Sequence, residues 1–241
     1  MAQDLRLYFF ECGSLKTYTQ FIKMNEGMGE AYEIPVPFFL ITHPRGNVIF
    51  DGGNALEAAR DAHGYWGEVA EIYEPVMTED DFVVNQLRAM DIDPGSVRYV
   101  VQRRELEYAY APHWFQAPGY VRADFDQGVD WLFLYGEQDD NYDLFGDGTI
   151  RTLFTPGHSP GHTSLVVTLE ETGSMMLTAD ACYTMDHYKN EALPGLLHSA
   201  ADCADSVQKI QRAVDALEAT VVTGHDPDEW PKFKKAPEYY S

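Results

Sequence analysis

The stretch FTPGHSPGHTS, residues Phe154 to Ser164, decides the fold and directly follows a run rich in β-branched and apolar residues. Its two Pro-Gly pairs restrict the backbone and place His158 and His162 in a tight turn at the end of a predicted strand. A metal ligand requires a fixed backbone, so this pattern favours a metal site over an ordinary surface loop. The alternative is that both histidines only stabilise the turn through hydrogen bonds, which is a common role of histidine.

Three further strand ends carry polar side chains. Asp180 follows an apolar run in LTADACYT, His225 follows one in VVTGHDPDEW, and Asp51 follows one in VIFDGG. Taken alone, an Asp at the position of Asp180 is more often a turn or capping residue, and a single His at the position of His225 is more often structural. His158, Asp180 and His225 come from distant parts of the chain, and each follows a predicted strand. Together they predict a metal site built from these three side chains. The two glycines after Asp51 allow close backbone approach, so this acid is predicted to support the site from outside the ligand set.

The other histidines and the thiols carry weaker signals. His43, His63, His113, His187 and His198 lack a partner pattern and are predicted to be structural or solvated. No GxSxG turn, P-loop or strand-linked GxGxxG is present, and none of the three cysteines has the local context of a nucleophile. The chemistry therefore points to a metal rather than to a side-chain nucleophile or a bound nucleotide.

The order of elements predicts an α/β fold in one domain of residues 1–241. Strands are predicted at Leu5–Phe10, Ile34–Ile41, Val48–Phe50, Val97–Val101, Ile150–Phe154, Ser164–Leu169, Met175–Thr178 and Thr220–Thr223. One helix is predicted after a Thr78–Asp81 capping box, and a second contains Val207, Ile210, Val214 and Leu217 at helical spacing. Two sheets in the middle with helices outside give an αβ/βα four-layer sandwich.

Composition excludes several classes of protein. Acidic residues outnumber basic ones 39 to 17, and the net charge of -22 argues against nucleic-acid partners, which need clustered Lys and Arg. No apolar run is long enough for a membrane span or a signal peptide. Three separated cysteines favour reduced thiols over disulfides. These features predict a cytoplasmic protein without nucleic-acid or membrane partners.

The motifs resemble one known family. TPGHSPGHTS, LTADACYT and VVTGHD, together with IPVPFFLITHPRGNVIFDGGNA near the start, are similar to the metallo-β-lactamase-fold lactonases. Within that superfamily the resemblance is to the branch of N-acyl-homoserine lactonases and γ-butyrolactone hydrolases, and it covers nearly the whole chain. It implies the metallo-β-lactamase fold and a zinc-dependent hydrolase that opens a lactone ring, a small-molecule substrate.

The resemblance also implies roles for individual residues. His158 would bind one zinc, Asp180 would bridge two zincs, and His225 would bind the second. Hydroxide held by the metals would attack the lactone carbonyl, and the phenol of Tyr183 would point at that carbonyl as a catalytic group beside Asp180. Asp51 would brace the metal loop, whereas His162 would lie next to the metal ligands without being one. Members of this family are often homodimers, so a homodimer is an expectation.

The segment VRYVVQRRELEYAY, Val97 to Tyr110, departs from this family. Relatives carry a motif HxHxDH after the corresponding strand, which supplies three histidine ligands and the acid that protonates the leaving oxygen. No HxHxDH occurs anywhere in the 241 residues. Roughly 20 residues, about one crossover with its helix, are expected between Gln102 and Arg103 but are absent. The fold is therefore expected to be incomplete after Gln102, with exposed apolar surface and an unpaired sheet edge.

Three interpretations of this gap remain open. The complete polypeptide contains a segment that these residues omit, or a deletion leaves a folded but inactive scaffold, or a remodelled site has one metal ion and altered chemistry. Zinc in this chain is accordingly expected to number one or none. A catalytic zinc needs about three protein ligands, so tight binding of two zincs by the remaining ligands is not expected. The rival function is a non-catalytic metallo-β-lactamase-fold module that binds a small ligand or a partner.

Overall fold

The computed structural model describes residues 4–97, 99–190 and 192–241. Its strands are β1 (Arg6–Tyr18), β2 (Ala31–Thr42), β3 (Val48–Phe50), β4 (Glu74–Val76), β5 (Tyr99–Gln102), β6 (Trp131–Leu134), β7 (Ile150–Phe154), β8 (Thr163–Leu169), β9 (Gly173–Leu177) and β10 (Thr220–Val222). Its α-helices are α1 (Thr19–Ile22), α2 (Leu56–Arg60), α3 (Ala62–Trp66), α4 (Val83–Ala89), α5 (Arg103–Tyr110), α6 (Arg122–Phe125), α7 (Met185–Asn190) and α8 (Ala200–Leu217).

The first sheet has the strand order β3-β2-β1-β4. Its strands β1 and β2 are long antiparallel partners, with Arg6 opposite Thr42 at one end and Tyr18 opposite Ala31 at the other. Strand β3 pairs with β2 in antiparallel register after the turn at residues 43–47, so the two strands form a β-hairpin. In this sheet β3 and β4 are the edge strands.

The second sheet has the order β10-β9-β8-β7. Its strand β8 is antiparallel to both β7 and β9, while β10 is parallel to β9. As a result β7, β9 and β10 all run in the same direction. Their carboxyl ends, which precede the three predicted metal ligands, therefore lie at one edge of the sheet.

The two sheets pack face to face between helices. Phe9 and Phe39 of the first sheet meet Leu165 and Leu177 of the second in one buried cluster. Alternate residues face outwards, so Phe10 and Phe38 pack with Leu87 of α4, and Val166 and Met176 pack with Val207 and Ile210 of α8. The predicted four-layer sandwich is thus confirmed, because the alternation of each strand buries one face on the other sheet and one under a helix.

A third sheet was not predicted. The parallel strands β5 and β6 pair only with each other in the described residues and form a separate two-stranded sheet. Strand β5 begins at Tyr99 rather than Val97, and Arg98 lies outside the described residues. Strand β5 runs straight into a helix: Gln102 ends the strand and caps α5 without a side-chain hydrogen bond.

Other details differ from the sequence-based expectation. The Thr78–Asp81 capping box is present, but it starts a 3₁₀ turn, and the α-helix begins only after the extended backbone of Phe82. Trp114, a large aromatic side chain of a type that is usually at least partly buried, is 86% exposed. None of the helices in the described residues combines the length and the apolarity needed to cross a membrane.

Candidate functional site

The candidate site lies where the carboxyl ends of β7, β9 and β10 meet. His158 follows β7, Asp180 follows β9 and His225 follows β10. The Nε2 atom of His158 is 3.3 Å from Asp180 Oδ2, and the Nε2 atom of His225 is 2.9 Å from Asp180 Oδ1. The structure thus brings together all three predicted ligands, with each histidine facing a different oxygen of one carboxylate.

Asp180 is the centre of this arrangement. Burial would raise the pKa of its carboxyl, but the neighbouring His158 and His225 outweigh burial and hold that pKa well below its usual range. Asp180 is therefore ionised at neutral pH. Its buried Oδ1 atom accepts no hydrogen bond besides the contact with Nε2 of His225, and a buried carboxylate oxygen is costly unless it is paired. Such an oxygen is suited to a cation.

His225 is oriented by the backbone of β2. Its Nδ1 atom is 2.8 Å from the carbonyl oxygen of Pro35, which can only accept a hydrogen bond. The Nδ1 atom therefore carries the hydrogen, and in the neutral ring the lone pair of Nε2 faces Asp180. Burial would lower the pKa of His225, but the contact with Asp180 outweighs burial and raises it. A proton or a metal ion is thus favoured between the two side chains.

His158 is held on its other side by Tyr183. The phenol oxygen of Tyr183 is 3.0 Å from His158 Nδ1, so the side chains form a chain of contacts from tyrosine through histidine to Asp180. Burial raises the pKa of Tyr183 well above its usual range. The phenol consequently keeps its proton at neutral pH and is able to donate it in a hydrogen bond.

His162 lies next to the ligands but is occupied by other partners. Its Nδ1 atom is 3.0 Å from the carbonyl oxygen of Thr155, and its Nε2 atom accepts a hydrogen bond from the backbone N–H of Asp180 at 3.1 Å. Burial lowers the pKa of His162 to about 4, so the ring is neutral. His162 therefore positions the backbone of Asp180.

Asp51 lies at the end of β3 on the other side of the site. Its backbone has φ of 68°, and its Oδ1 atom accepts hydrogen bonds from the N–H groups of Gly52 at 2.6 Å and Gly53 at 3.3 Å. The side chain reaches solvent through a cleft, yet the protein around it removes enough water to raise the pKa of its carboxyl, and the charge of Asp180 raises it further. Asp51 is close enough to Asp180 and His225 to influence them.

The backbone around Asp180 is tightly constrained. Ala179 has φ of 44°, which is unfavourable for a residue with a Cβ atom. Gly224 lies against it, and a Cβ atom at Gly224 would be 2.6 Å from the carbonyl oxygen of Ala179. The backbone N–H of His225 in turn donates to the carbonyl of Tyr183 at 2.7 Å. These contacts fix the relative positions of the ligand-bearing loops after β9 and β10.

The imidazole and carboxylate groups of His158, Asp180 and His225 are donor types that zinc prefers. They are fewer than the protein ligands that a catalytic zinc normally has. Two ligands about 2.0–2.1 Å from one zinc lie about 3.3 Å apart at the tetrahedral angle, close to both observed nitrogen–oxygen distances. Each half of the site supplies one histidine and one carboxylate oxygen, one protein ligand fewer than a catalytic zinc normally has. Consistent with this shortage, the described residues contain no group of three or more His, Cys, Asp or Glu side chains arranged to hold a metal ion.

Several contributors were not found from the sequence. Glu105 in α5 accepts a hydrogen bond from the N–H of Gly161 at 2.7 Å, and Gln116 donates to the carbonyl of His158 at 3.2 Å. Both residues lie in the segment that follows Gln102, and they hold the loop that carries His158 and His162 in place. A small pocket of about 190 Å³ beside Tyr73 is lined by Leu15, Val69 and other side chains. These residues lack any local motif, because only the tertiary fold brings them to the site.

The remaining histidines take structural or exposed positions. His187 is fully buried, with its Nε2 atom 3.1 Å from the carbonyl oxygen of Ile22. His43 is buried and its Nε2 atom is 3.0 Å from Asp147. His198 contacts Gln116, while His63 and His113 are exposed. Within the described residues, none of these five histidines forms a hydrogen bond or an ion pair with Asp180.

Comparisons with known proteins agree with this geometry. The profile of the metallo-beta-lactamase superfamily matches residues 95–225. The N-acyl homoserine lactonase AttM of Azorhizobium caulinodans is 52% identical over 260 aligned positions, covering 98% of this chain and 99% of that protein. AttM of Rhizobium radiobacter is 50% identical over 261 positions, covering 99% of both chains. Because 260 positions exceed the 241 residues of this chain by 19, at least 19 aligned positions have no residue here.

The fold has been seen in a solved structure as well. An N-acyl homoserine lactone hydrolase with the product N-hexanoyl-L-homoserine bound at its catalytic metal centre superposes with a TM-score of 0.87. The two sequences are 24% identical, and the match covers 98% of each chain, so this likeness concerns the fold. Profile, sequence identity and fold lead to one conclusion: the chain belongs to the metallo-beta-lactamase superfamily.

Proposed function

We propose that this protein is a metal-dependent hydrolase that opens the lactone ring of N-acyl homoserine lactones. The observation that carries the proposal is the placement of His158 and His225 against the two oxygens of Asp180. The relatives of about 50% identity, which are N-acyl homoserine lactonases, support the reaction class. His158, Asp180 and His225 would hold the metal, which we propose to be zinc. When bound, zinc lowers the pKa of a water molecule and polarises the carbonyl of the substrate.

The protein's own residues support this chemistry in separate ways. If His158 binds the metal through Nε2, its Nδ1 atom carries the hydrogen and donates to the phenol oxygen of Tyr183, which leaves the phenol proton free for a hydrogen bond to the lactone carbonyl. The carbonyl of Pro35 holds the ring of His225 so that Nε2 faces Asp180. His162 holds the backbone of Asp180, and we propose that Asp51 supports the site without binding the substrate.

A pocket near Tyr183 fits the acyl part of such a substrate. Tyr73 and Leu15 line the 190 Å³ pocket and also pack against the cluster that contains Tyr183. Apolar side chains next to a polar centre are the usual lining of a site for an amphipathic small molecule. We propose that the pocket receives the acyl chain, and that γ-butyrolactone, which has no acyl chain, is a weaker substrate.

The location and assembly of the protein are finer proposals. All three cysteines are free and buried, which supports a reducing compartment such as the cytoplasm. Trp114 is 86% exposed and its neighbour Phe115 is 49% exposed. Large exposed aromatic side chains mark protein–protein contacts, which supports a homodimer.

A second candidate function is a non-catalytic module that binds a small ligand. The observation that favours it is the shortage of ligands, since each oxygen of Asp180 faces a single histidine. Such a module would bind the lactone without opening the ring. The two candidates therefore differ in turnover rather than in binding.

Ring opening of N-hexanoyl homoserine lactone, followed by chromatography in the presence of zinc, tests the proposal. The wild type is expected to form the ring-opened acid, whereas Asp180→Asn lowers kcat/KM by at least about 100-fold because it removes the charge shared by both histidines. His63→Ala is the matched control, because this histidine is 70% exposed. If the wild type binds the lactone and leaves the ring intact, the ligand-binding module is the better description.

A further inference from the structure

Tyr73 connects the small pocket to the candidate metal site. Its side chain lines the 190 Å³ pocket and also packs against the buried cluster of Ile22, Ile34 and Tyr183. Of the other described residues that line this pocket, only Leu15 shares that double position, and its side chain carries no polar group. Tyr73 therefore brings a hydrogen-bonding group to the junction between the pocket and the site.

The hydroxyl end of Tyr73 faces Asp180. Burial raises the pKa of the Tyr73 phenol, and the negative charge of Asp180 raises it further. Burial likewise raises the pKa of Tyr183, to which Asp180 and Tyr73 both add. Because a charge acts strongly on a titrating group only over a short distance, the Tyr73 hydroxyl lies near both Asp180 and the Tyr183 phenol. At neutral pH the Tyr73 hydroxyl keeps its proton and can donate a hydrogen bond.

This hydroxyl has no partner in the described part of the chain. It forms no hydrogen bond there with a side chain or a backbone group, and its oxygen is not fully buried, so the pocket gives access to it. A tyrosine hydroxyl in a mostly buried position usually has a partner, because removing a hydroxyl from water without one is costly. The donor is thus available to a group that enters the pocket.

The other polar side chains of the pocket are placed differently. Asp124 is exposed and accepts a hydrogen bond from the hydroxyl of Tyr65 at 2.6 Å, so its carboxylate lies at the rim and is already paired. Trp66 carries an indole N–H, but its side chain takes no part in the packing around Tyr183. Neither side chain offers a donor at the junction.

An N-acyl homoserine lactone has a polar group of its own at the matching position. The molecule consists of a lactone ring, an amide and an acyl chain, in that order. Under the proposed function the ring lies at Asp180 and Tyr183, and the acyl chain lies in the pocket. The amide then falls at the junction, where its carbonyl oxygen loses water and needs a hydrogen-bond donor.

We infer that Tyr73 recognises the amide of the substrate: its hydroxyl donates a hydrogen bond to the amide carbonyl oxygen. Tyr73 thereby distinguishes N-acyl homoserine lactones from lactones that carry a plain alkyl chain. The inference rests on the proposed function, since it uses the positions of the ring and the acyl chain given there. The amide does not react, so this hydrogen bond stabilises the bound substrate and the transition state alike.

Two lactones that differ only in the amide test this contact. One is N-hexanoyl homoserine lactone, and the other is α-heptyl-γ-butyrolactone, whose side chain has the same length but contains methylene groups in place of the amide. Tyr73→Phe removes one oxygen and keeps the ring that packs against Tyr183. It is expected to lower kcat/KM for N-hexanoyl homoserine lactone about tenfold, mainly through a higher KM, and to change it by less than about twofold for the alkyl lactone.

Tyr32→Phe is the matched control variant. Tyr32 packs against the same cluster but does not line the pocket. Burial raises the pKa of its phenol, and the charges that act on it most strongly are those of Lys23 and Asp226. Its hydroxyl therefore belongs to a different surrounding from that of Tyr73, and Tyr32→Phe is expected to keep wild-type values of kcat and KM for both lactones.

The outcomes separate this inference from the proposed function. No fall of kcat/KM for N-hexanoyl homoserine lactone in Tyr73→Phe, or an equal fall for both lactones, would overturn the role of Tyr73 and leave ring opening in place. For a lactone that the wild type does not open, the dissociation constant replaces kcat/KM, with the same expected ratios. If the wild type opens neither ring, the proposed function fails while binding still decides the role of Tyr73. Failure of the wild type to bind N-hexanoyl homoserine lactone would overturn both.

Discussion

At the scale of single residues, the site depends on a carboxylate that two histidines share. The position of Asp180, His158 and His225 at strand ends was sufficient to predict that they meet, because β7, β9 and β10 end at the same edge of one sheet. The orientation of each ring was not predictable. It depends on the carbonyl of Pro35 and on Tyr183, whose distance from the histidines in sequence conceals the contact.

His187 provides a prediction about pH and stability. Burial lowers its pKa to about 4, below the unfolded value of 6.5. The unfolded state therefore binds more protons between these values, and the stability that His187 contributes is present above pH 6.5 and is lost as pH falls towards 4. Between pH 7 and pH 5 this one group lowers the free energy of unfolding by about 2 kcal/mol.

Replacing His187 by a residue that does not titrate isolates this contribution. His187→Gln keeps an amide for the Ile22 carbonyl and is expected to be less stable than the wild type at pH 7 but to lose about 2 kcal/mol less on acidification to pH 5. Urea unfolding at both pH values measures the difference. An identical loss of stability in the wild type and in His187→Gln would contradict a neutral, buried His187.

At the scale of elements, the loops after β9 and β10 act as one unit. Their separation is set by the contact between Gly224 and the carbonyl of Ala179, in which a Cβ atom would approach to 2.6 Å. The strands before these loops were predicted from their β-branched residues. The close approach of Gly224 to the Ala179 carbonyl was not predicted, since a glycine before a histidine in a sequence does not show which residue it contacts. Strand β6 was missed because four residues, Trp131 to Leu134, carry no alternating pattern.

Gly224→Ala tests the role of this contact. The added methyl group has to displace backbone atoms, so the variant is expected to lose about 1–3 kcal/mol in the free energy of unfolding. It should also lose lactone turnover, because Asp180 follows Ala179 directly. Gly119→Ala is the matched control for stability, as a Cβ atom there meets nothing within 4 Å, and the turnover of Gly224→Ala is compared with that of the wild type because Gly119 lines the proposed acyl pocket. Stability of Gly224→Ala equal to that of the control, together with wild-type turnover, would show that the loops do not depend on each other.

At the scale of the whole molecule, the four-layer fold was predictable from the sequence. The effect on the sheets of the residues missing after Gln102 was predictable only in part. Alternating apolar residues in the strands and the helical spacing of Val207, Ile210 and Val214 defined the four layers. The absence of the residues expected between Gln102 and Arg103 indicated an unpaired sheet edge. In the described residues two such edges, those of β3 and β5, face one cleft. The volume of this cleft could not be predicted, because it depends on how both sheets settle around the missing segment.

The central claim is that His158, Asp180 and His225 form the metal centre of a lactone hydrolase with an incomplete ligand set. Equilibrium dialysis against zinc at pH 7.5, with bound metal and ring opening measured on the same samples, tests it most directly. The account predicts at most one zinc per chain, turnover in proportion to bound zinc, and loss of both in Asp180→Asn. Two tightly held zinc ions, or zinc binding and turnover unaffected by Asp180→Asn, would contradict it.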